Sequence, residues 1–370
     1  MNKKNENSYA AKLSNWRSRK LTFFKDVNLF RLRLALKLKF GHTFHYPRLV
    51  EFVIIERCNA KCIMCTYNAK GKIMMVEHFE KIAATLLPFS GDVLLIGGEP
   101  LMHPGFYRIS QQVHAFKNNL KMTTNLSFLE GDRFEAIKNF FNGIVVSIDA
   151  ATKETYEKIR TGLSFDRVKQ NLGKVAKLKS EKGLAISIAA VVMRQNIHEL
   201  PLLVEMAADY NLDGVDVSFV QVRHRLEKED SLLYHRPLAN KYFDMARKQA
   251  QLKNVRLNLP PDFDLNREPK EADEEMTNDF KKCPRPWDRL RILTDGTVVP
   301  CCILYEENMG NIFENRFGKV WNGQTYKKLR KYLRKGNPAM PLACRTCRLI
   351  GKKASNSNNP RLHFSSSYDE

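Results

Sequence analysis

From Val50 onward, short β-rich runs alternate with amphipathic stretches, and few folds are compatible with that rhythm. Strands separated by helices run parallel in one sheet. The strand candidates are 50–56, 92–97, 120–125, 143–149, 184–193 and 213–220, with helices expected at 76–87, 104–118, 129–141, 152–179 and 196–210. Six such repeats fit an α/β fold, a partial (βα)6 TIM-like barrel, with chemistry at the carboxyl ends of the strands. No G-x-G-x-x-G follows the first strand, so a dinucleotide-binding fold is not expected. The longest uncharged apolar run, Gly183 to Met193, is too short for a bilayer span of roughly 20 residues.

Charge divides the chain further. Its formal net charge is +21. Residues 1–50 hold 12 Lys/Arg against 2 acids and residues 281–353 hold 17 against 5, whereas the stretch between them is balanced. Within the first 50 residues Phe30, Leu32, Leu34, Leu36, Leu38 and Phe40 alternate with polar or small residues, a strand period carried by helix formers; composition favours a helix. That segment is expected either to dock on the domain or to lie on an anionic membrane surface. Residues 262–280 are acidic and read as a linker, and 351–370 as a Ser/Asn-rich tail. Arg291 to Cys301, with the turn Thr294 to Thr297, looks like a hairpin, and 319–335 like a helix that stops at Gly336. The expected units are 1–49, 50–255, 256–282, 283–350 and 351–370.

Eight cysteines fall into two groups, at 58, 62 and 65 and at 283, 301, 302, 344 and 347, with 217 residues between them. No secretory signal precedes them, so reduced or metal-bound thiols in a cytoplasmic setting are expected. Cys58-x3-Cys62-x2-Cys65 lies directly after the first strand. Three thiolates can hold three irons of a [4Fe-4S] cluster and leave the fourth iron open. A structural zinc site would want a fourth ligand, and the next ten residues offer none.

This loop, in this place, resembles the signature of the radical S-adenosylmethionine (SAM) superfamily, over residues of about 50–220. The resemblance implies that SAM chelates the open iron and is reductively cleaved to methionine and a 5′-deoxyadenosyl radical. Asn59 fits the pattern, whereas Met64 stands where an aromatic residue is usual. Gly97, Gly98, Glu99 and Pro100 are similar to the glycine-rich edge that binds the SAM amino group. Thr123-Thr124-Asn125 resembles Thr-Asn-Gly, with Leu126 in place of glycine. The resemblance also places Ser147, Asp149 and Arg160 near the SAM carboxylate or ribose, and Met193, Arg194 and Asn196 near the adenosine. Arg160 is alternatively a solvated arginine at a helix end.

Cys283, Cys301, Cys344 and Cys347 complete either a tetrahedral zinc or a second [4Fe-4S] cluster. Pro286-Trp287, Gly296-x4-Cys301, Gly310-Asn311 and Val320-Trp321-Asn322 are similar to the small α+β auxiliary-cluster module called SPASM, or twitch in its shorter form. The shortened cysteine run implies one auxiliary cluster. Cys302 is left over, as a buried neighbour of the cluster, a substitute ligand or a hydrogen-atom donor.

The single-cluster resemblance implies dehydrogenation or epimerisation of a sugar, aminosugar or cyclitol, with flavodoxin or ferredoxin as electron donor. The alternatives are a peptide-modifying SPASM maturase, an RNA-modifying enzyme, and a non-enzymatic iron–sulfur scaffold. The neutral barrel argues against nucleic acid as a partner. Residues 221–240, among them Arg223, His224, Arg225, Tyr234 and His235, are expected to face substrate.

Overall fold

Leu49–Ile55 forms β1, buried along its whole length, as a strand covered on both faces must be. A computed structural model of the protein describes residues 3–65, 71–220, 222, 225–266, 283–336, 341, 344 and 347, with side chains from residue 19 onward. Arg223, His224, most of the expected linker and the whole tail lie outside the described residues. After β1 come β2 (Asp92–Gly97), β3 (Asn119–Thr124), β4 (Gly143–Ser147), β5 (Ala185–Val192) and β6 (Gly214–Phe219). Each pairs in parallel with the strand before it. Three more strands extend the sheet: β7 (Arg256–Asn258), β8 (Arg289–Ile292) and β9 (Val298–Val299). Its order is β7-β6-β5-β4-β3-β2-β1-β8-β9, an open parallel sheet with β9 antiparallel at one edge. The partial barrel is therefore extended, because β8 continues it beyond β1.

The β8 pairing brings two arginines onto a buried carboxylate. Arg291 Nε lies 2.6 Å and Arg289 Nη1 3.4 Å from Glu51. Burial alone would raise the Glu51 pKa, but the two guanidinium groups hold it below the usual carboxylate range.

The helices are α1 (Lys3–Leu38), α2 (Val76–Leu86), α3 (Phe106–Ala115), α4 (Asp132–Phe140), α5 (Lys153–Ile159), α6 (Phe165–Lys182), α7 (Leu200–Asp209), α8 (Arg236–Lys253), α9 (Arg285–Asp288), α10 (Phe317–Trp321) and α11 (Gln324–Lys335). Two expected single helices are each broken in two. The stretch 152–179 turns at Arg160 to Ser164, where Gly162 takes φ +94°, and Ser164 caps α6 by accepting from Arg167 N. Helix 319–335 is interrupted at Asn322 and Gly323, because the Asn322 side chain is engaged by the Thr43 backbone. It ends at Gly336 in the left-handed conformation, as expected.

The N-terminal segment is a helix. One face docks: Leu32 and Ala35 are buried, and Asn28 donates to the carbonyls of Tyr46 and Phe89. Lys25 Nζ donates to the carbonyls of Phe116 and Lys117. These carbonyls precede β1, β2 and β3, so α1 crosses the N-terminal edge of the sheet.

Arg330, fully buried on α11, ties this segment to the C-terminal unit. It donates to the carbonyls of Pro286, Gly41 and Trp321 and stacks over Trp321 at 4.5 Å. Beside it, His45 is 3% exposed and donates from Nδ1 to the Tyr46 carbonyl. Burial pushes the His45 pKa down from 6.5 to about 4. The folded state therefore holds His45 neutral, while the unfolded chain takes up a proton below pH 6.5. Stability is full above that pH and falls by about 1.4 kcal/mol per pH unit on acidification toward pH 4. Urea midpoints at pH 7.5 and pH 5 are expected to diverge in the wild type and to converge in His45→Gln.

Candidate active site and auxiliary cysteine site

The cysteine loop leaves the carboxyl end of β1 and is held from two sides. Lys61 N donates to the Thr161 carbonyl, just past α5, and Ile63 N to that of Ile159, the last residue of α5. On the other side Gly98 N donates to the Ile55 carbonyl at 2.7 Å and Glu99 N to that of Arg57 at 2.9 Å. This approach accounts for both glycines. A Cβ at Gly97 would stand 1.9 Å from the Ile55 oxygen, and one at Gly98 2.1 Å from the Arg57 oxygen. Gly97 also takes φ +145°.

Cys62 is buried, Cys58 half-buried and Cys65 exposed. Burial pushes the Cys62 thiol up to about 11 and raises Cys58 as well, and repulsion among the three thiolates adds to both. The three sulfurs thus share one region. Among the described residues no three ligating side chains are gathered tightly enough for a single metal ion. A cubane does not need that, since each thiolate takes a different iron. A donor set of three mutually repelling thiols, costly to ionise without a cation, fits such a cluster.

Behind the loop lies a polar frame. Glu99 is fully buried and accepts from Thr124 Oγ1 at 2.5 Å, Asn125 N at 2.7 Å and Leu101 N at 3.1 Å. Its pKa is raised to about 6 by burial, against those hydrogen bonds. The carboxylate thus joins the ends of β2 and β3. Asn125 donates to Asn59 Oδ1 at 3.1 Å and lies 3.9 Å from Cys58 Sγ. Leu126, standing where glycine is usual, adopts φ +60° and is fully buried. Burying a leucine contributes roughly 1.5–3 kcal/mol, which offsets the roughly 1–2 kcal/mol of a left-handed non-glycine residue.

Arg160 is not solvated; it is 7% exposed and pairs with the fully buried Asp149 at 2.8 Å. Its Nη1 also lies 4.0 Å from Cys62 Sγ. Burial raises Asp149 and would lower Arg160, but the Asp149 and Cys62 charges keep the guanidinium above its ordinary value. Asp149 also accepts from Val191 N at 2.8 Å. Asn196 donates to the carbonyls of Asp149 and Val191 and accepts from Met193 N, closing the β5 turn over the end of β4. Met193 is buried with Ile159, Val220 and Leu226, and Met64 packs on that cluster. Ser147 is half-buried at the end of β4, Pro100 is buried, and Arg194 N donates to the Asp230 carbonyl. Arg225 donates to the Lys61 carbonyl at 3.4 Å, and Leu226 belongs to the apolar cluster on which Ile63 and Met64 of the cysteine loop pack.

Sequence reasoning missed Ser127, which accepts from Asn59 Nδ2 at 2.8 Å and donates to Asn125 Oδ1 at 2.6 Å. The Asn-x-Ser spacing, which favours an Asx turn, was its signal. It also missed Thr294, whose hydroxyl donates to Glu56 at 2.6 Å and links the C-terminal hairpin to the stem of the cysteine loop.

In the C-terminal unit Cys283 and Cys347 are buried, and Cys301 and Cys344 half-buried. Burial pushes Cys283 and Cys344 up to about 12, and the four thiolates repel one another across a shared volume. Arg285 and Lys39 carry positive charge close to Cys283. Cys302 is exposed, so it is not the buried neighbour expected.

The two cysteine sites sit at opposite ends of the sheet. Cys283 precedes β8 and Cys301 follows β9, which runs back antiparallel, so both lie level with the start of β1. Cys58 lies beyond its other end. Seven strand residues at about 3.3 Å each put about 20 Å between them.

The model of the radical SAM superfamily matches residues 52–207, and that of SPASM, an iron–sulfur cluster-binding domain, matches residues 283–348. A probable GTP 3′,8-cyclase of Thermoplasma volcanium is 24% identical over 68% of this chain and 79% of its own. The antilisterial bacteriocin subtilosin biosynthesis protein AlbA of Bacillus subtilis is 22% identical over 78% of this chain and 62% of its own. The chain thus spans less than two thirds of AlbA. Among solved structures, Streptococcus suis SuiB bound to SAM superposes with a TM-score of 0.63 at 18% identity, covering 81% of this chain and 71% of SuiB. SuiB bound to precursor peptide SuiA superposes with a TM-score of 0.60, also at 18% identity, covering 80% of this chain and 69% of SuiB.

Proposed function

The protein is a radical SAM superfamily enzyme with a C-terminal SPASM iron–sulfur cluster domain, and from that premise we propose that it modifies a peptide. When bound, the cluster and SAM supply one-electron cleavage of a carbon–sulfur bond and abstraction of a substrate hydrogen atom. A reductant is required, and flavodoxin or ferredoxin in the cytoplasm suits that role. The likeness to AlbA, named for bacteriocin biosynthesis and aligned over 78% of the chain, carries the peptide reading. The sugar, aminosugar or cyclitol reading rested on the shortened cysteine run alone.

The chain's own residues have distinct tasks in this reading. Cys58, Cys62 and Cys65 hold the SAM-binding cluster, and Cys283, Cys301, Cys344 and Cys347 hold one auxiliary cluster. The strand-end backbone at Gly97 and Gly98 and the half-buried Ser147 are the groups left to meet SAM. Glu99, Asp149 and Asn196 bond within the frame, and Arg160 is paired to Asp149 but keeps its buried Nε without a hydrogen-bond partner. They fix the positions of the strand ends, while Pro100, Met193 and Met64 exclude water. Asn125 orients Asn59 and the first cysteine.

Deuterium transfer tests the substrate class. The reconstituted enzyme is given SAM, dithionite and extract from cells grown on deuterated medium, and 5′-deoxyadenosine is examined by mass spectrometry. Deuterium incorporation that vanishes when the extract is first digested with protease supports a peptide. Incorporation that survives digestion would return the small-molecule reading, which the likeness to GTP 3′,8-cyclases favours.

Metal analysis separates the cluster assignments: about eight irons per chain and no zinc are expected. Cys302 has no task here, being exposed at the end of the sheet opposite the SAM-binding loop. Cys302→Ala is expected to keep iron content and turnover within about twofold; a larger loss of turnover with full iron would restore it as a hydrogen-atom donor.

A further inference from the structure

The docked face of α1 is only half of that helix. At 100° per residue, Phe23, Phe30, Leu34 and Leu38 fall within about 80° of arc, opposite Leu32 and Asn28. They are 63%, 70%, 44% and 47% exposed. Four large apolar side chains in line on the outside of a folded protein are unusual. Phe40 and Phe44, 42% and 76% exposed, adjoin the end of the stripe. Basic side chains border it on both sides: Arg19, Arg33 and Lys37 on one, Lys20 and Arg31 on the other, all exposed. Asp26 is the single acid between residues 19 and 38.

We infer that α1 lies on an anionic lipid surface, with the Phe23 to Leu38 stripe inserted among the acyl chains and the flanking Lys and Arg side chains at the headgroups. An apolar stripe bordered by cations matches such a surface in both of its layers. A protein partner would need to supply the same layering, and a second copy of this chain would set these cations against one another. No described helix is long and apolar enough to cross a membrane, so the contact is peripheral. Because α1 crosses the N-terminal edge of the sheet, the cysteine loop at the carboxyl edge opens away from the bilayer. A substrate from water could reach it; a group embedded in the same bilayer could not.

Full-length protein is sedimented with vesicles of phosphatidylcholine and phosphatidylglycerol, three to one, and with phosphatidylcholine alone. Binding to the anionic vesicles is expected, weakening as salt is raised. Phe23→Gln with Phe30→Gln is expected to lower that binding roughly tenfold without moving the melting temperature, since both side chains already stand mostly in water. Arg31→Gln with Arg33→Gln is expected to weaken binding to anionic vesicles only. The inference is overturned if the wild type does not sediment at low salt, or if the apolar double variant binds equally well. It is also overturned if the wild type proves a dimer that this variant dissociates.

Discussion

Alanine at Cys58, Cys62 and Cys65 together is expected to abolish SAM cleavage and to lower the iron from about eight to about four atoms per chain. The fold should survive, because the loop is anchored by its backbone. Lys61 N and Ile63 N bond to the end of α5 and the turn after it, and Ile55 and Arg57 carbonyls accept from the β2 turn, none of which involves a thiol. The remaining iron should disappear when Cys344 and Cys347 are also replaced. If the first triple variant instead loses all its iron, the two sites are not independent and the division of ligands is wrong. If it keeps all eight, Cys58, Cys62 and Cys65 hold no cluster.

The second large effect is expected at the buried pair under the cysteine loop. Arg160→Met strands the Asp149 carboxylate and Asp149→Leu strands the Arg160 guanidinium, each without water. Breaking a buried pair from one side costs about 3–5 kcal/mol, whereas replacing both partners by apolar groups is often close to neutral. Urea denaturation of the two single variants and the double variant therefore should show strong coupling, with the double variant the most stable of the three. SAM affinity separates structure from recognition. If Arg160 only positions the strand ends, the double variant binds SAM within a few fold of the wild type; if the guanidinium reaches the SAM carboxylate, binding is lost in every variant that lacks it.

The six barrel strands were legible because each is a short stretch with an apolar or β-branched core set between helical periods, and β1 and β5 are the most fully buried of them. In the N-terminal segment composition, which favours a helix, outweighs the alternation. The period of two is two helix faces seen together: Leu32 and Ala35 turn inward while Phe30, Leu34 and Leu38 turn outward. The break at Asn322 was hidden, since what ends α10 there is a pair of hydrogen bonds to Thr43, 279 positions away. At the site, residue identities were readable but directions were not. Glu99 and Asp149 are where their strands put them and Arg160 where α5 ends, yet their charged atoms turn into the protein toward Thr124, Val191 and each other. The large positive charge also resolves into local causes. Arg285 and Lys39 accompany the auxiliary thiols, and the α1 cations line an exposed apolar stripe.

The C-terminal unit contributes more than thiols to the barrel. By adding β8 beside β1 it covers the flank of the most buried strand in the protein. A chain ending before Cys283 would present β1 as a bare edge, apolar but for Glu51, which would be stripped of both arginines. Such an edge invites pairing with another copy. The catalytic barrel is thus unsuited to life as a separate piece: a truncation made to isolate it should yield insoluble aggregates, and an evolutionary loss of the auxiliary unit would require some new strand to take its place.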